Sequence, residues 1–330
     1  MNAPGLTFID SEAITTISSV LKCRDSDISG FTLLKKGMTN RSYVFSVNGQ
    51  KYLIRIPGEG TERIINRKNE AAVYNTIRGL GICDDLIYID PASGYKISRF
   101  LCDARVCDPE DISDLIKCMA KLRQLHELSL SVGHSFDIFE QISFYESLWE
   151  GTDSIYPDYL STKERIFSLR TFIDPLDKQW CLTHIDPVCD NFLFYRFEKT
   201  DEERLQLTDW EYAGMQDPHV DIAMFCIYSL FDKYSSDRLI DIYFQNRCDM
   251  ITRAKIYCYI ASCGLLWSNW CEFKRKFGIE FGDYASHQYQ YAKDYYVYAM
   301  DLIMTYNAFP ERDPQRAHNS RDNDLGRQMK

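Results

Sequence analysis

The chain has 330 residues, of which 45% are hydrophobic and 26% are charged, and its formal net charge is -10 at pH 7. A chain of this length and apolar content buries a sizeable core, organised as two lobes or two modest domains. The negative net charge excludes broad binding to the phosphate backbone of nucleic acids, and no block of Lys or Arg reverses this locally.

The twelve cysteines are scattered through apolar stretches, and none forms a Cys-x-x-Cys pair. This usage is typical of buried reduced thiols in a cytosolic protein. The N-terminus has no basic segment followed by an apolar run, and the longest uncharged stretch, residues 256–271, is too short to span a bilayer. We therefore expect a soluble, cytoplasmic protein with no membrane insertion, whose oligomeric state the sequence leaves open.

The N-terminal part of the chain predicts an antiparallel sheet with helices. Ser11 is a suitable N-cap, and the apolar residues after it recur at helical spacing, which predicts a helix over residues 11–21. A charged face and an apolar face predict a second helix over residues 63–78. β-Branched and aromatic residues predict strands over residues 31–34, 42–47, 51–56, 86–89 and 95–101. The Asn48-Gly49 pair predicts a tight hairpin between two of these strands.

A polar, turn-rich segment at residues 102–109 predicts a hinge, and the pattern beyond it is mainly helical. The predicted helices cover residues 110–128, 161–173, 237–248, 253–277 and 284–306. Short predicted strands cover residues 180–183, 192–195 and 205–208. The fold class is therefore α+β, with a small antiparallel-sheet lobe (residues 1–103), a larger helical lobe (residues 104–309) and a tail (residues 310–330) that we expect to be disordered.

The densest chemical signal is His184-Ile185-Asp186 with Asn191, followed after a strand hairpin by Asp209. Transfer of a phosphoryl group requires an acceptor hydroxyl held in line and a metal that neutralises the phosphate charge. Asp186 can orient the hydroxyl and accept its proton, and the oxygens of Asn191 and Asp209 are ligands that Mg²⁺ prefers. The alternative is that these are ordinary polar loop residues.

This constellation resembles the catalytic and metal-binding loops of the protein-kinase-like bilobal fold. The segment that begins at Asp209-Trp210-Glu211, with Asp221 after it, is similar to aminoglycoside phosphotransferases and choline kinases. The resemblance implies ATP and Mg²⁺ as cofactors and a catalytic role for Asp186. We assign His184, within the catalytic motif, and Asp221 to holding the catalytic loop in shape.

The loop between the first two predicted strands is a candidate phosphate-binding loop. Its backbone N–H groups and small polar side chains can cradle nucleotide phosphates. The predicted nucleotide-binding residues of this loop are Gly37, Thr39, Asn40 and Ser42. The alternative is a simple β-turn, since the three-glycine pattern of protein kinases is missing.

Arg55 occupies the strand position at which protein kinases carry a phosphate-binding lysine, and Glu70 on the next predicted helix is a candidate partner for it. A guanidinium can bind phosphate oxygens through two hydrogen bonds. The alternative is a surface ion pair of little energetic weight. The segment from Arg55 to Glu70 resembles the bacterial LicA-type choline kinases, in which arginine replaces the lysine, so the resemblance implies that both residues belong to the nucleotide site.

The resemblance implies choline as substrate, whose quaternary ammonium requires aromatic faces and a nearby negative charge. Trp267 and Trp270 share a helix face and resemble the aromatic wall of choline kinases. Two further rings on the last helix and one acid complete the predicted substrate site: Tyr291, Tyr295 and Glu211. The alternative for these aromatic residues is core packing. Tyr228 stands near the position at which eukaryotic choline kinases carry a carboxylate.

The sequence leaves several functions open. Ethanolamine, thiamine or an aminoglycoside are alternative acceptors for the same fold, and a catalytically inactive nucleotide-binding protein is a further alternative. Retention of Asp186, Asn191 and Asp209 together argues against the inactive protein. The preference between ATP and GTP and the number of magnesium ions also stay open.

Overall fold

The computed structural model describes residues 11–36, 40–58, 61–196 and 202–308. It confirms the α+β class, with an antiparallel sheet near the N-terminus followed by a mainly helical region. In the described part of the chain, no helix combines the length and the hydropathy that crossing a membrane requires. The predicted disordered tail lies outside the described residues.

Among the residues described, the first region contains two α-helices and a five-stranded sheet. The helices are α1 (Ser11–Leu21) and α2 (Arg67–Ile77), and the strands are β1 (Ile28–Lys36), β2 (Asn40–Val47), β3 (Gln50–Pro57), β4 (Leu86–Ile89) and β5 (Lys96–Arg99). The sheet is antiparallel in the order β1-β2-β3-β5-β4.

The predicted hairpin turn is confirmed between β2 and β3. Val47 pairs with Gln50, and the two residues between them, Asn48 and Gly49, have φ angles of 51° and 79°. Two successive positive φ angles define the turn that Asn-Gly favours, and its twist matches that of the flanking strands. This turn fixes the register that brings Ser42 opposite Arg55.

Helix α2 begins four residues later than the sequence predicts. Asn66 is its N-cap, and its side chain accepts hydrogen bonds from the backbone N–H groups of Lys68 and Asn69 at 3.1 and 3.2 Å. Residues 61–63 form a separate short turn instead. The cap determines where the helix starts, and the start determines which side chains face the centre of the molecule.

The second region contains eight helices and five short strands among the described residues. The helices are α3 (Ile112–Glu127), α4 (Ile138–Ser147), α5 (Tyr159–Ser168), α6 (Arg170–Ile173), α7 (His219–Tyr228), α8 (Lys233–Tyr243), α9 (Met250–Arg275) and α10 (Asp283–Ala308). The strands are β6 (Arg105–Val106), β7 (Cys181–Thr183), β8 (Phe192–Arg196), β9 (Glu203–Leu207) and β10 (Gly214–Gln216).

The predicted helices of this region need four corrections. The sequence missed α4 and α7, and the single helix predicted over residues 161–173 is divided into α5 and α6 at Leu169. Helix α8 begins four residues earlier than predicted, because Asp232 caps it by accepting a hydrogen bond from the Ser235 backbone N–H at 2.8 Å.

The long helices α9 and α10 form the centre of the helical region. Gly264 of α9 lies against α10 so closely that a Cβ atom there would be 2.7 Å from the Gln288 carbonyl oxygen. Helix α9 is buried over most of its length, and Trp267 and Trp270 lie in its second half.

Candidate active site

A cavity of about 790 Å³ lies between the two regions. Strand residues of the first region, including Ser42, Arg55 and Lys96, form one wall. Loop residues of the second region, including Asp186 and Asp209, form the opposite wall. The cavity therefore lies where residues predicted to bind the nucleotide face residues predicted to perform the chemistry.

The loop that carries Asp186 is held by a buried aspartate of α7. Asp221 accepts hydrogen bonds from the backbone N–H groups of His184 and Ile185 at 2.9 and 2.7 Å. Ile185 has a φ of +68°, which a β-branched residue adopts only under strain. Asp221 is itself oriented by His126, whose other ring nitrogen contacts the Tyr243 hydroxyl. This chain of contacts fixes the position of the loop.

His184 contributes to the same loop without lining the cavity. It is fully buried, its Nε2 contacts the Thr208 carbonyl oxygen at 3.0 Å, and its ring lies against Trp210. Burial lowers the pKa of His184 to about 4, although the charge of Asp221 opposes this. The imidazole is therefore neutral near pH 7, so that Nε2–H donates to Thr208. The contact joins the loop to the strand that leads to Asp209.

Asp186, Asn191 and Asp209 converge at the cavity. The Asn191 amide donates hydrogen bonds to the Asp186 carbonyl oxygen at 2.9 Å and to its carboxylate at 3.2 Å. Burial raises the pKa of Asp186 well above its usual range, and the charges of Asp209 and Glu211 raise it further. Asp209 has a φ of +64°, in the left-handed region that few non-glycine residues adopt.

The residues at this point fit a hard divalent cation. Among the described residues, no cluster of three or more His, Cys, Asp or Glu side chains has the arrangement of a metal site made by protein alone. Mg²⁺ in phosphoryl-transfer sites is instead held by one or two protein oxygens together with substrate phosphates. Asn191 and Asp209 offer such oxygens, and a cation there would relieve the repulsion between Asp209 and Asp186.

Arg55 and Glu70 form the ion pair that the sequence predicts. The Arg55 guanidinium donates two hydrogen bonds to the Glu70 carboxylate, at 2.5 and 2.7 Å, and both side chains are almost fully buried. Burial would raise the pKa of Glu70, but Arg55 and neighbouring cations lower it to about 2. Arg55 also reaches Asp209 at 3.3 Å. This buried pair differs from the surface ion pair that was the alternative.

Arg67 is a central residue that the sequence analysis missed. Its Nη1 donates to Glu70 and to Glu211 at 3.0 Å each, and its Nη2 donates to the Asn40 side-chain oxygen at 3.1 Å. The Asn40 amide donates to the same Glu211 carboxylate at 2.8 Å. The three-residue spacing of Arg67 and Glu70 on a predicted helix was the available signal.

Lys96 is a second missed cation in the cavity wall. It is buried, lies 3.4 Å from the Asp84 carboxylate and donates to the Tyr74 hydroxyl at 2.5 Å. It stands opposite Arg55 in the pairing of β3 with β5. Its position in a short apolar strand gave no chemical signal in the sequence.

The remaining nucleotide-site predictions have different outcomes. Asn40 and Ser42 line the cavity, whereas Gly37 and Thr39 lie outside the described residues. Glu211 also lines the cavity, but its carboxylate contacts Asn40 and Arg67. Its predicted contact with the substrate stays a prediction.

Aromatic rings surround the part of the cavity next to Asp186. We call this group the aromatic box: Tyr212, Tyr228, Trp267, Trp270 and Tyr284. The Trp267 ring lies 5.4 Å from the Trp270 ring and 5.5 to 5.6 Å from the two nearest tyrosine rings, measured between centroids. Trp267 and Trp270 therefore line the cavity together with three further rings, and their contact with a substrate stays a prediction.

Tyr291 and Tyr295, which the sequence assigned to the substrate site, are not among the residues that line the cavity. The Tyr291 hydroxyl donates to the Phe231 carbonyl oxygen at 2.7 Å. Tyr295 is 2% exposed and packs edge-on against Tyr257 and Tyr298. The close approach of α10 to α9 turns both rings into the helical core, which was the alternative interpretation.

Comparison with known proteins agrees with this geometry. The family profile described as Choline/ethanolamine kinase matches residues 31–262. Protein LicA of Haemophilus influenzae is 26% identical over 260 residues, which are 76% of this chain and 75% of that protein. The crystal structure of choline kinase LicA from Streptococcus pneumoniae has a TM-score of 0.74 at 28% identity, covering 87% of this chain and 98% of that one. A crystal structure of LicA in complex with AMP has a TM-score of 0.73.

Aminoglycoside phosphotransferase APH(4)-Ia shares the fold at 14% identity, with a TM-score of 0.61 over 87% of this chain and 98% of that one. The protein-kinase-like bilobal fold and the resemblance stated from the motifs are thus confirmed. Because the family profile spans more than two thirds of the sequence, the chain belongs to the choline/ethanolamine kinase family.

Proposed function

We propose that this kinase transfers the γ-phosphoryl group of ATP to the hydroxyl of choline, giving phosphocholine. The observation that carries the proposal is the aromatic box directly beside Asp186. A quaternary ammonium is bound by aromatic faces, because it has no N–H group to donate. A cation held in the box would place the hydroxyl of a short amino alcohol near the Asp186 carboxylate.

Asp186 acts as the general base in this proposal. Its buried carboxylate orients the substrate hydroxyl and accepts the proton as the oxygen attacks the γ-phosphorus. Asn191 and Asp221 keep the loop in place during the reaction, since one binds the Asp186 carboxylate and the other binds the loop backbone. We expect the protein to accelerate the reaction by positioning the two substrates and by stabilising the charge of the transition state.

In this proposal the nucleotide binds to the cavity wall formed by the first lobe (residues 1–103). The acceptor binds to the wall formed by the second lobe (residues 104–309). The Arg55 guanidinium, already held by Glu70, is placed to bind phosphate oxygens, and the related LicA structure with AMP supports a nucleotide in this cavity. Asn191 and Asp209 would hold Mg²⁺, whose charge neutralises the phosphates. A cytoplasmic location is part of the same proposal.

Ethanolamine is the principal alternative acceptor, because the family includes kinases for both amino alcohols. Thiamine and aminoglycosides are less favoured. An aminoglycoside with several positive charges requires a broad acidic cleft, whereas two of the carboxylates in this cavity, Asp209 and Glu211, already contact Arg55 or Arg67. A catalytically inactive protein has no chemical need for the converged Asp186, Asn191 and Asp209.

The test is ATP consumption by the purified protein with Mg²⁺ and one acceptor at a time: choline, ethanolamine, thiamine or an aminoglycoside. We expect choline-dependent ATP consumption and phosphocholine detected by mass spectrometry. Removal of divalent cations with EDTA should abolish turnover, and added Mg²⁺ should restore it. ATP consumption that does not respond to choline would exclude choline as the substrate.

A further inference from the structure

Three polar atoms in the aromatic box are buried without a hydrogen-bond partner. They are the hydroxyls of Tyr212 and Tyr228 and the indole Nε1 of Trp270. Buried polar atoms are nearly always satisfied in native proteins, so unsatisfied ones that line a cavity indicate contacts made by a ligand or by water. The aromatic box can therefore form hydrogen bonds with a ligand in addition to its apolar contacts.

Only two of these atoms can accept a hydrogen bond. The Trp270 nitrogen is a donor, whereas a phenolic oxygen both donates and accepts. The Tyr212 hydroxyl lies beside the Tyr145 hydroxyl in the interior. The Tyr228 hydroxyl lies beside the Asp186 carboxylate, at the chemical end of the cavity.

Four of the carboxylates that line the cavity are already engaged. Asp84 pairs with Lys96, Asp209 and Glu211 contact arginines, and Asp186 accepts from Asn191 and is needed by the substrate hydroxyl. The Tyr228 oxygen is therefore the acceptor best placed for an N–H group of a substrate. It can donate its own proton to Asp186 while it accepts the N–H, which strengthens both hydrogen bonds.

We propose that Tyr228 is a specificity-determining residue, whose hydroxyl selects among amino alcohols by accepting a hydrogen bond from the N–H of the bound ammonium group. This inference rests on the proposed function. The single N–H of a protonated tertiary amine such as N,N-dimethylethanolamine donates to the Tyr228 hydroxyl, and its two methyl groups contact the rings. Choline needs no acceptor, and the three N–H groups of ethanolamine outnumber the two unpartnered phenolic oxygens.

The experiment compares kcat/KM for choline, N,N-dimethylethanolamine and ethanolamine in the wild type and in Tyr228→Phe. Removing the hydroxyl should lower the ratio of kcat/KM for N,N-dimethylethanolamine to that for choline about tenfold, the loss expected for one hydrogen bond to a charged group. The wild type should use ethanolamine least efficiently of the three.

Tyr295→Phe is the matched control, because it removes another buried, unpartnered hydroxyl that lies outside the cavity. Its substrate ratio should equal that of the wild type. Melting temperatures establish that the variants fold, and Tyr228→Leu is a second variant without the hydroxyl, with the same expected direction of the ratio.

The outcomes separate the two proposals. A ratio that is unchanged in Tyr228→Phe contradicts the assignment, and so does an equal fall for all substrates, which would mean that Tyr228 only positions Asp186. A wild-type protein that phosphorylates none of the three amino alcohols contradicts the proposed function itself.

Discussion

Asp186 owes its properties to two physical causes, its burial and the neighbouring carboxylates of Asp209 and Glu211. Both favour the protonated form, and a base in this position becomes effective when cations approach it. The metal and the cationic substrate of the proposed reaction would bring such positive charge beside this one side chain. Its removal is therefore the most direct test of the mechanism at the scale of a residue.

We predict that Asp186→Ala lowers kcat by about 10²–10⁴, the contribution typical of a general base. ATP affinity should change little, because Arg55 and the strand wall remain. Steady-state kinetics and nucleotide titration measure the two quantities. Asp177→Ala, which removes an exposed carboxylate, is the control. A variant that retains wild-type turnover would contradict the role of Asp186.

Two buried histidines predict a loss of stability in mild acid. Burial lowers the pKa of both His184 and His219 to about 4, below the usual value of 6.5. Between these values the unfolded chain binds more protons than the folded one, so stability falls as the pH falls from 6.5 toward 4. From pH 7 to pH 5 each histidine should lower the free energy of unfolding by about 2 kcal/mol.

Urea unfolding of the wild type and of His219→Gln at the two pH values tests this. The variant should lose about 2 kcal/mol less than the wild type between pH 7 and pH 5. Equal losses in the two proteins would show that His219 does not titrate as expected.

The sequence predicts some residues of the site much better than others. Asp186, Asn191 and Asp209 were predicted together because their chemistry and spacing are unusual, and all three line the same cavity. Arg67 and Lys96 were missed, because a buried cation is recognised only from the carboxylates around it. Tyr291 and Tyr295 do not line the cavity, since helical spacing shows that two rings share a face but not what that face contacts.

At the scale of elements, sequence patterns predict amphipathic helices better than fully buried ones. Helices α1 and α3 agree with the prediction within two residues, because each has one apolar face. Helix α7 was missed, because residues 220–227 are all buried and the apolar run therefore has no period. Strand β6 has only two residues and exists through its pairing with β8.

The packing of α9 against α10 predicts the effect of one methyl group. In Gly264→Ala the new Cβ would meet the Gln288 carbonyl oxygen at 2.7 Å and the Tyr291 Cβ at 2.8 Å. Because backbone atoms cannot move aside cheaply, the helices must separate, at a cost of about 1–3 kcal/mol in the free energy of unfolding.

Gly133→Ala is the control for this substitution, since its Cβ would meet no atom within 4 Å. Denaturant unfolding should show a loss for Gly264→Ala and a change within about 0.5 kcal/mol for Gly133→Ala. Similar changes in both variants would contradict the close contact between the two helices.

At the scale of the whole molecule, the two lobes meet through charge as well as through the apolar core. Asn40, Arg55 and Arg67 of the first lobe contact Glu211 of the second, and Arg55 also contacts Asp209. No sequence pattern predicts this junction, because it joins residues up to 171 positions apart. The two lobes and their order were nevertheless predictable from the change from strand to helical patterns.

The contacts of Asn40, Arg55 and Arg67 with Glu211 form an ionic junction between the lobes. This junction predicts that Arg67 affects both the free energy of unfolding and the KM for ATP. Arg67→Gln leaves Glu70 and Glu211 with fewer positive partners, and breaking a buried pair of this kind lowers the free energy of unfolding by about 3–5 kcal/mol. Asn40 also loses the guanidinium that orients it, so the KM for ATP should rise more than kcat falls. Lys68→Gln, at the exposed neighbouring position, is the control and should change neither quantity. If Arg67→Gln unfolds at the same urea concentration as that control and keeps its KM for ATP, the ionic junction does not couple the lobes.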